Sequence, residues 1–373
     1  MKYLVLALVL LTACSAPVRQ TVGAPSAQTA AAPEAAPSAQ SAAPVPPTST
    51  YVFEGVEVFG SHKVPKEKLL ELIGLPAPGT RFDLEKGEFT PYLIESKPRL
   101  LAAYNFPFCR YSLVAYPPTH TFRVTVDLVD PGDEWRMRFS PEPQGDIPDP
   151  EGLLAAWGDY QKTYWKLSSE GAVPEYSKGS CRAINCYGGF DHSELVPLEQ
   201  RFIDGVPRNA EALTRVLRED RDSSKRMTAL MLLPYLHSRE QLVRIILPSV
   251  RDSFEGVRNE ALRLLGTAQA GQKRVIIPLE PVLEALWYPL VTDRNKAAWA
   301  LVRIVETEGA AHRQQILDKA GAMLVEMAGM QQKTDAEPAR KVLTILAGKD
   351  LGEDAAAWRQ WVEQTRGAEK ARR

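Results

Sequence analysis

Four segments in the second half of the chain share one layout. DSSKRMTALMLLPYL (222–236), DSFEGVRNEALRLLG (252–266) and DRNKAAWALVRIV (293–305) each open on an aspartate at a predicted helix N-cap, followed by a basic residue and then Ala and Leu at helical spacing. DAEPARKVLTILAG (335–348) is a fainter fourth copy. Successive copies lie roughly 30 to 42 residues apart, which is the period of two-helix units that stack into a solenoid. REQLVRIILPSV (239–250) and LEPVLEALWYPLV (279–291) fall between the copies and supply the second helix of each pair. Such a unit buries its apolar face only against its neighbours, so the stack presents a curved surface to partners. An all-α array is therefore predicted over 205–365, with a short tail at 366–373.

The wording of these copies, clearest at Asp252, Val257, Arg258, Ala261 and Leu265, resembles a HEAT repeat. The resemblance implies that the internal Asp and Arg form a ladder between repeats, which makes the arginine architectural. KDLGEDAAAWRQWVEQ then places Trp358 and Trp361 three apart on a last helix, where they are expected to seal the end of the array, the alternative being an exposed partner-binding patch.

The other end of the chain sets the compartment. MKYLVLALVLLTACS has one basic residue, a short apolar run and small residues before Cys14. The run is too short for the ~20 residues that cross a bilayer, and it reads as a cleaved secretory signal over 1–13. Leu11-Thr12-Ala13-Cys14 resembles the lipobox of bacterial lipoproteins, which implies lipidation of Cys14 and stable membrane anchoring through two or three acyl chains. Ser15 in place of Asp implies sorting to the outer membrane. Residues 14–50 are nearly all Ala, Pro, Ser, Thr and Gln, too poor in large apolar side chains to offset ordering entropy. A disordered tether is expected there, reaching between about 35 Å as a coil and about 110 Å extended.

Between tether and array, residues 51–130 read β-α-α-β-β. A β-rich run ends at Gly60, and Pro65 opens a helix with Leu69, Leu72 and Ile73 on one face, stopped by Gly74 and Pro76. Asp83 is expected to cap a second helix running to about Tyr104. FPFCRYSLVAY and TFRVTVDLVD form a hairpin, and in the latter Phe122, Val124, Val126 and Leu128 alternate with Arg123, Thr125 and Asp127, the period of a sheet with one buried face. This order, with Val56, Val58, Gly60, Val64, Leu69, Ile73, Gly79, Phe82 and Asp83, resembles a POTRA domain, the periplasmic module of outer-membrane barrel insertases and two-partner secretion transporters. Two features depart from that family. Tyr104-Asn105-Phe106-Pro107-Phe108 replaces a Gly-x-Phe turn, and one unit stands alone with no barrel-forming sequence after it. The resemblance implies recognition of extended peptides by addition to a sheet edge. It also implies that the strand at 107–116 is that edge, with Phe108, Arg110, Ser112, Val114 and Tyr116 as partner-binding positions.

Residues 131–204 form a connector. LLAAWGDYQKTYWKLS is helical in pattern, with Leu154, Trp157, Tyr160, Tyr164 and Trp165 giving a broad aromatic face that suits a core. Cys181 and Cys186 follow. Outside the cytoplasm such a pair oxidises to a disulfide. The alternative is a metal site with His192 and Asp191, although zinc usually takes four firm ligands. Cys109 is either buried and free or the partner of one of the other two.

The formal net charge is −1 and no basic stripe stands out, which argues against nucleic-acid partners. The five histidines are scattered, with no H-E-x-x-H, G-x-S-x-G or Walker-type loop, so no enzyme activity and no cofactor are expected. The fold class expected is α+β, a small β-α-α-β-β domain followed by an all-α solenoid. The function expected is that of a lipid-anchored cell-envelope adaptor. Its partners would be unfolded or extended envelope polypeptides, with outer-membrane barrel machinery among those the resemblance implies. The alternatives are a purely structural solenoid lipoprotein, whose N-terminal unit only spaces the array from its tether, and a thiol- or metal-dependent site at Cys181 and Cys186.

Overall fold

The computed structural model describes residues 49–173, 181–186 and 191–370. The lipidation site Cys14, the signal and nearly all of the tether lie outside these. The fold is mixed α+β, a small curled sheet followed by a long helical region.

The sheet unit runs β1 (Thr50–Phe59), α1 (Lys66–Ile73), β2 (Arg81–Asp83), α2 (Thr90–Ala103), β3 (Phe108–Tyr116) and β4 (Thr121–Val129). Strand order is β2-β1-β4-β3, with β1 parallel to β4 and the other pairings antiparallel. Gly74 closes α1 in the left-handed conformation and donates its N–H to Leu70 O. Asp83 does not cap a helix. It lies in β2, where its carboxylate accepts the N–H groups of Glu85 and Lys86 while Phe82 packs edge-on against Phe89 at 5.0 Å. That local turn delays α2 to Thr90 and inserts one more strand than the β-α-α-β-β reading.

The alternation along β4 also misleads. Phe122, Val124, Val126 and Leu128 face α1 and α2, but Thr125 and Asp127 are fully buried as well. The second face of the sheet is covered by the helical region, so the polar positions of β4 lie in an interior rather than in water.

The helical region comprises α3 (Leu153–Ser169), α4 (Val196–Arg208), α5 (Ala210–Glu219), α6 (Ser223–Leu232), α7 (Arg239–Ile246), α8 (Glu255–Gln269), α9 (Leu279–Ala285), α10 (Val291–Ala328), α11 (Lys333–Ala347) and α12 (Ala355–Lys370). α10 bends at Glu308, whose φ of −138° and ψ of 37° leave the helical range. The core shared by these helices begins within the connector, with Leu153, Trp157, Tyr160 and Phe202 packed against Leu230 and Tyr235. Trp165 is the exception to the aromatic face, 61% exposed beside Tyr164.

Of the four repeated aspartates, Asp222 caps its helix, accepting the Ser224 N–H. Asp252 likewise accepts the Phe254 N–H at 2.8 Å, and it and the other two each also meet a buried arginine. Arg226 reaches Asp252, Arg258 reaches Asp293 and Arg294 reaches Asp335, each pair within about 3.2 Å and almost wholly buried. Every one of these arginines also donates to a main-chain carbonyl near its own helix start, at Asp220, Asp252 and Pro289. A buried guanidinium has five N–H groups to satisfy, and the next repeat's carboxylate together with those carbonyls satisfies most of them. Asp335 lies within the first turn of α11, and Gln332 caps that helix by accepting the Asp335 N–H.

Candidate functional site

β3 is the edge of the sheet. It pairs with β4 from Phe108↔Val129 to Tyr116↔Thr121, and among the described residues its other flank meets no strand. The expected partner-binding positions all lie on this strand, and most of their side chains are committed inside the chain. Arg110 makes a two-pronged pair with Glu255 of α8 at 3.0 and 2.6 Å. Ser112 donates to Asp127 at 3.0 Å. The Tyr116 hydroxyl accepts the Lys333 N–H at 3.1 Å, Val114 is buried and Phe108 half-buried. What β3 leaves open is main chain, the part of a strand that pairs with another strand whatever its sequence.

The inner side of the same strand is anchored by a buried charge cluster of which sequence reasoning anticipated the Arg294–Asp335 rung and missed the link to Asp127. Arg294 lies between Asp127 of β4 and Asp335 of α11, at 2.9 Å from each, with all three side chains fully buried. Its guanidinium stacks 3.6 Å over the Phe59 ring. Burial pushes the Asp335 carboxyl up to about 6 and raises that of Asp127 as well, against the pull of Arg294 in both cases. Arg136, in the turn after β4, donates to Trp287 O at 2.7 Å, Gly60 O at 3.0 Å and Leu128 O at 3.2 Å. Gly60 is required there, because at its φ of 83° a Cβ would sit 2.6 Å from Leu128 O. Glu57 of β1 accepts the N–H groups of Gln331 and Gln332 at 2.9 and 2.7 Å. Sheet and helices are thus joined by a fully buried charge cluster and by main-chain bonds that range from buried to exposed. The available signal was Asp127 itself, an acidic residue in β4 between the apolar Val126 and Leu128.

Cys181 and Cys186 stand at disulfide distance, with Cα atoms 5.8 Å apart. The short loop they close docks on the helices: Ile184 N–H donates to Pro234 O at 2.8 Å, and Arg182 pairs with the fully buried side chain of Glu199. His192 is engaged locally, its Nδ1 accepting the Glu194 N–H. No group of three or more His, Cys, Asp or Glu is arranged to hold a metal ion among the described residues. Cys109 is buried and free, and burial pushes its thiol up to about 11, far from a reactive thiolate. Reducing the Cys181–Cys186 bond is expected to cost about 2 kcal/mol by loop-closure entropy. The check is a urea titration with and without reductant, which should show the midpoint fall on reduction while the Cys181→Ser/Cys186→Ser variant shows no response.

Among the described residues no helix is long and apolar enough to cross a membrane. No protein-family model matches the chain, and no curated protein matches it significantly.

Proposed function

We propose that this chain is a lipid-anchored, non-enzymatic adaptor of the bacterial cell envelope. It is held to the membrane at Cys14, and its POTRA-like sheet captures extended polypeptides by strand addition at β3. The HEAT-like helices behind the sheet hold it in place and offer a second surface to partners. The observation that carries this reading is the nine-residue outer flank of β3, with no strand beside it among the described residues. A pre-ordered edge loses little entropy on binding, and main-chain pairing tolerates many partner sequences.

A structural reading has its own support. Arg294 ties Asp127 to Asp335 in a fully buried cluster, so the sheet braces the helices whatever else it does.

In-cell photocrosslinking from positions 108–116, with mass spectrometry of the adducts, separates the two. Adducts to unfolded envelope polypeptides or to barrel-assembly components support the adaptor. Adducts arising only from probes on the helices leave the sheet as a brace. A proline scan over the same strand sharpens the test. Along a strand, N–H groups point alternately to β4 and outward, so proline should abolish capture at the outward-pointing positions and cost less stability there than at the positions whose N–H bonds to β4. Capture that survives proline at every position refutes strand addition.

A further inference from the structure

The sheet has a second free flank, and it does not face open solvent. β1 pairs with β2 only over Thr50, Tyr51 and Val52. Phe53 is met by the loop before β2, through Phe53 N–H to Thr80 O at 2.8 Å and Gly79 N–H to Phe53 O at 2.7 Å. The ladder to β4 then shifts register between Phe53 and Val56, across Gly55 at a φ of 132°. From Val56 to Phe59, β1 remains paired with β4 on one side. Among the described residues its other flank bonds to no main-chain group.

This flank opens into a cleft of roughly 630 Å³ whose lining includes all four residues, Val56 to Phe59. α1 forms one wall with Lys66 and Leu70, and α10 and α12 form the other with Met323 and Arg359. Leu70 is 38% exposed, whereas Leu69 and Ile73 of the same helix are fully buried in the sheet's own core. The usual protections of a strand edge, a proline or an outward charge, are absent from 56–59. The one charged side chain there, Glu57, is turned onto Gln331 and Gln332. Four strand residues span on the order of 13 Å, and the volume is that of a peptide- or ligand-sized pocket.

The charges around the cleft select among extended peptides. Arg366 is occupied by Asp318 at 3.1 Å, and His62 faces Glu326 at 3.5 Å. Lys66 and Arg359, on opposite walls, are exposed and form no ion pair among the described residues, and Glu363 is the one uncommitted carboxylate against them. We propose that this cleft is a second strand-addition site, one that takes an extended segment with alternating apolar side chains and acidic residues at its ends. Its main chain would pair with Val56–Phe59, its apolar side chains would contact Leu70 on one wall and the exposed Ala322 on the other, and its carboxylates would meet Lys66 and Arg359. This site is distinct from β3 and does not depend on it.

The test is fluorescence anisotropy of the full mature protein with a labelled six-residue peptide of alternating Val and Thr carrying Glu at both ends. A matched peptide has Lys at both ends. The Glu-ended peptide should bind about tenfold more tightly at low salt, and K66E/R359E should reverse the order. A Glu-ended peptide N-methylated at alternate residues should lose binding, because it cannot complete the ladder. Proline variants of β3 should bind the peptide as the native chain does, which separates failure here from failure at β3. The proposal is overturned if neither peptide binds, if the N-methylated peptide binds equally, or if K66E/R359E leaves the preference unchanged. It is also overturned if light scattering shows a dimer that this double substitution dissociates, since the flank would then belong to a second copy of the chain.

Discussion

Arg294→Ala is expected to lower folding stability by about 3–5 kcal/mol, the cost of leaving a buried ion pair without one partner. Asp127 and Asp335 would face each other in the interior with no cation between them. The Phe59 ring would lose the guanidinium packed over it, and the Pro289 carbonyl a donor. In thermal unfolding this corresponds to a fall of the midpoint on the order of 10 °C. Arg215→Ala, which removes a half-exposed pair with Glu219 one helical turn away, should leave the midpoint almost unchanged. The pattern of damage is as informative as its size. Because Arg294 belongs at once to the ladder between helices and to the sheet junction, hydrogen exchange should accelerate together in β4 and in the first half of α10. Arg294→Met combined with Asp127→Leu and Asp335→Leu should recover most of the loss, since well-packed apolar residues often equal a buried ion cluster in stability. A midpoint for Arg294→Ala within a degree or two of the native value would mean that the cluster is hydrated and contributes little.

The same residues show what was legible in the sequence. The helical array could be read because its signals are local and repeated. Val257, Ala261 and Leu265 lie at helical spacing, and the Asp–Arg pairing recurs. Even so, the expectation that every repeated aspartate caps a helix failed at Asp293 and Asp335, which lie inside the first turns of α10 and α11 with their carboxylates on a buried arginine, whereas Asp252 serves both Arg226 and the Phe254 N–H. The edge position of β3 was reached from a likeness of element order. The commitment of Arg110 to Glu255 is a contact across 145 residues that no periodicity encodes. Thr125 and Asp127 were read as a wet face because alternation reports only that two faces differ in polarity. It does not report whether the polar face meets water or a buried guanidinium. β2, three residues long, is below the length at which any period can be counted.

α12 is the last helix of the helical region, and Trp358 is the side chain that seats it on the helices before it. Its side chain is fully buried on α12, its indole N–H donates to Gly352 O at 2.8 Å, and it meets Trp361 edge-on at 6.1 Å. One turn further on, Val362 lies over Gly321 of α10, where an added Cβ would come within 3.0 Å of it, so α12 sits close on the helix beneath. Trp358→Ala is expected to cost about 3–5 kcal/mol, combining the lost transfer free energy of the indole with the cavity left behind. Trp358→Phe should recover part of this by refilling the space without the hydrogen bond. If the helical region is a stack of repeats, each unit is stabilised chiefly by its neighbours, and the loss is expected to be graded along the chain. Amides of α11, α12 and the second half of α10 should exchange faster, while those of α4 to α6 keep their protection. The sheet should respond as well, because Glu57 and Tyr116 hold the Gln331, Gln332 and Lys333 amides at the start of α11. Uniform loss of protection across all helices would instead make the region one cooperative body. In that case the C-terminal aromatic pair would be a core element like any other and not a cap.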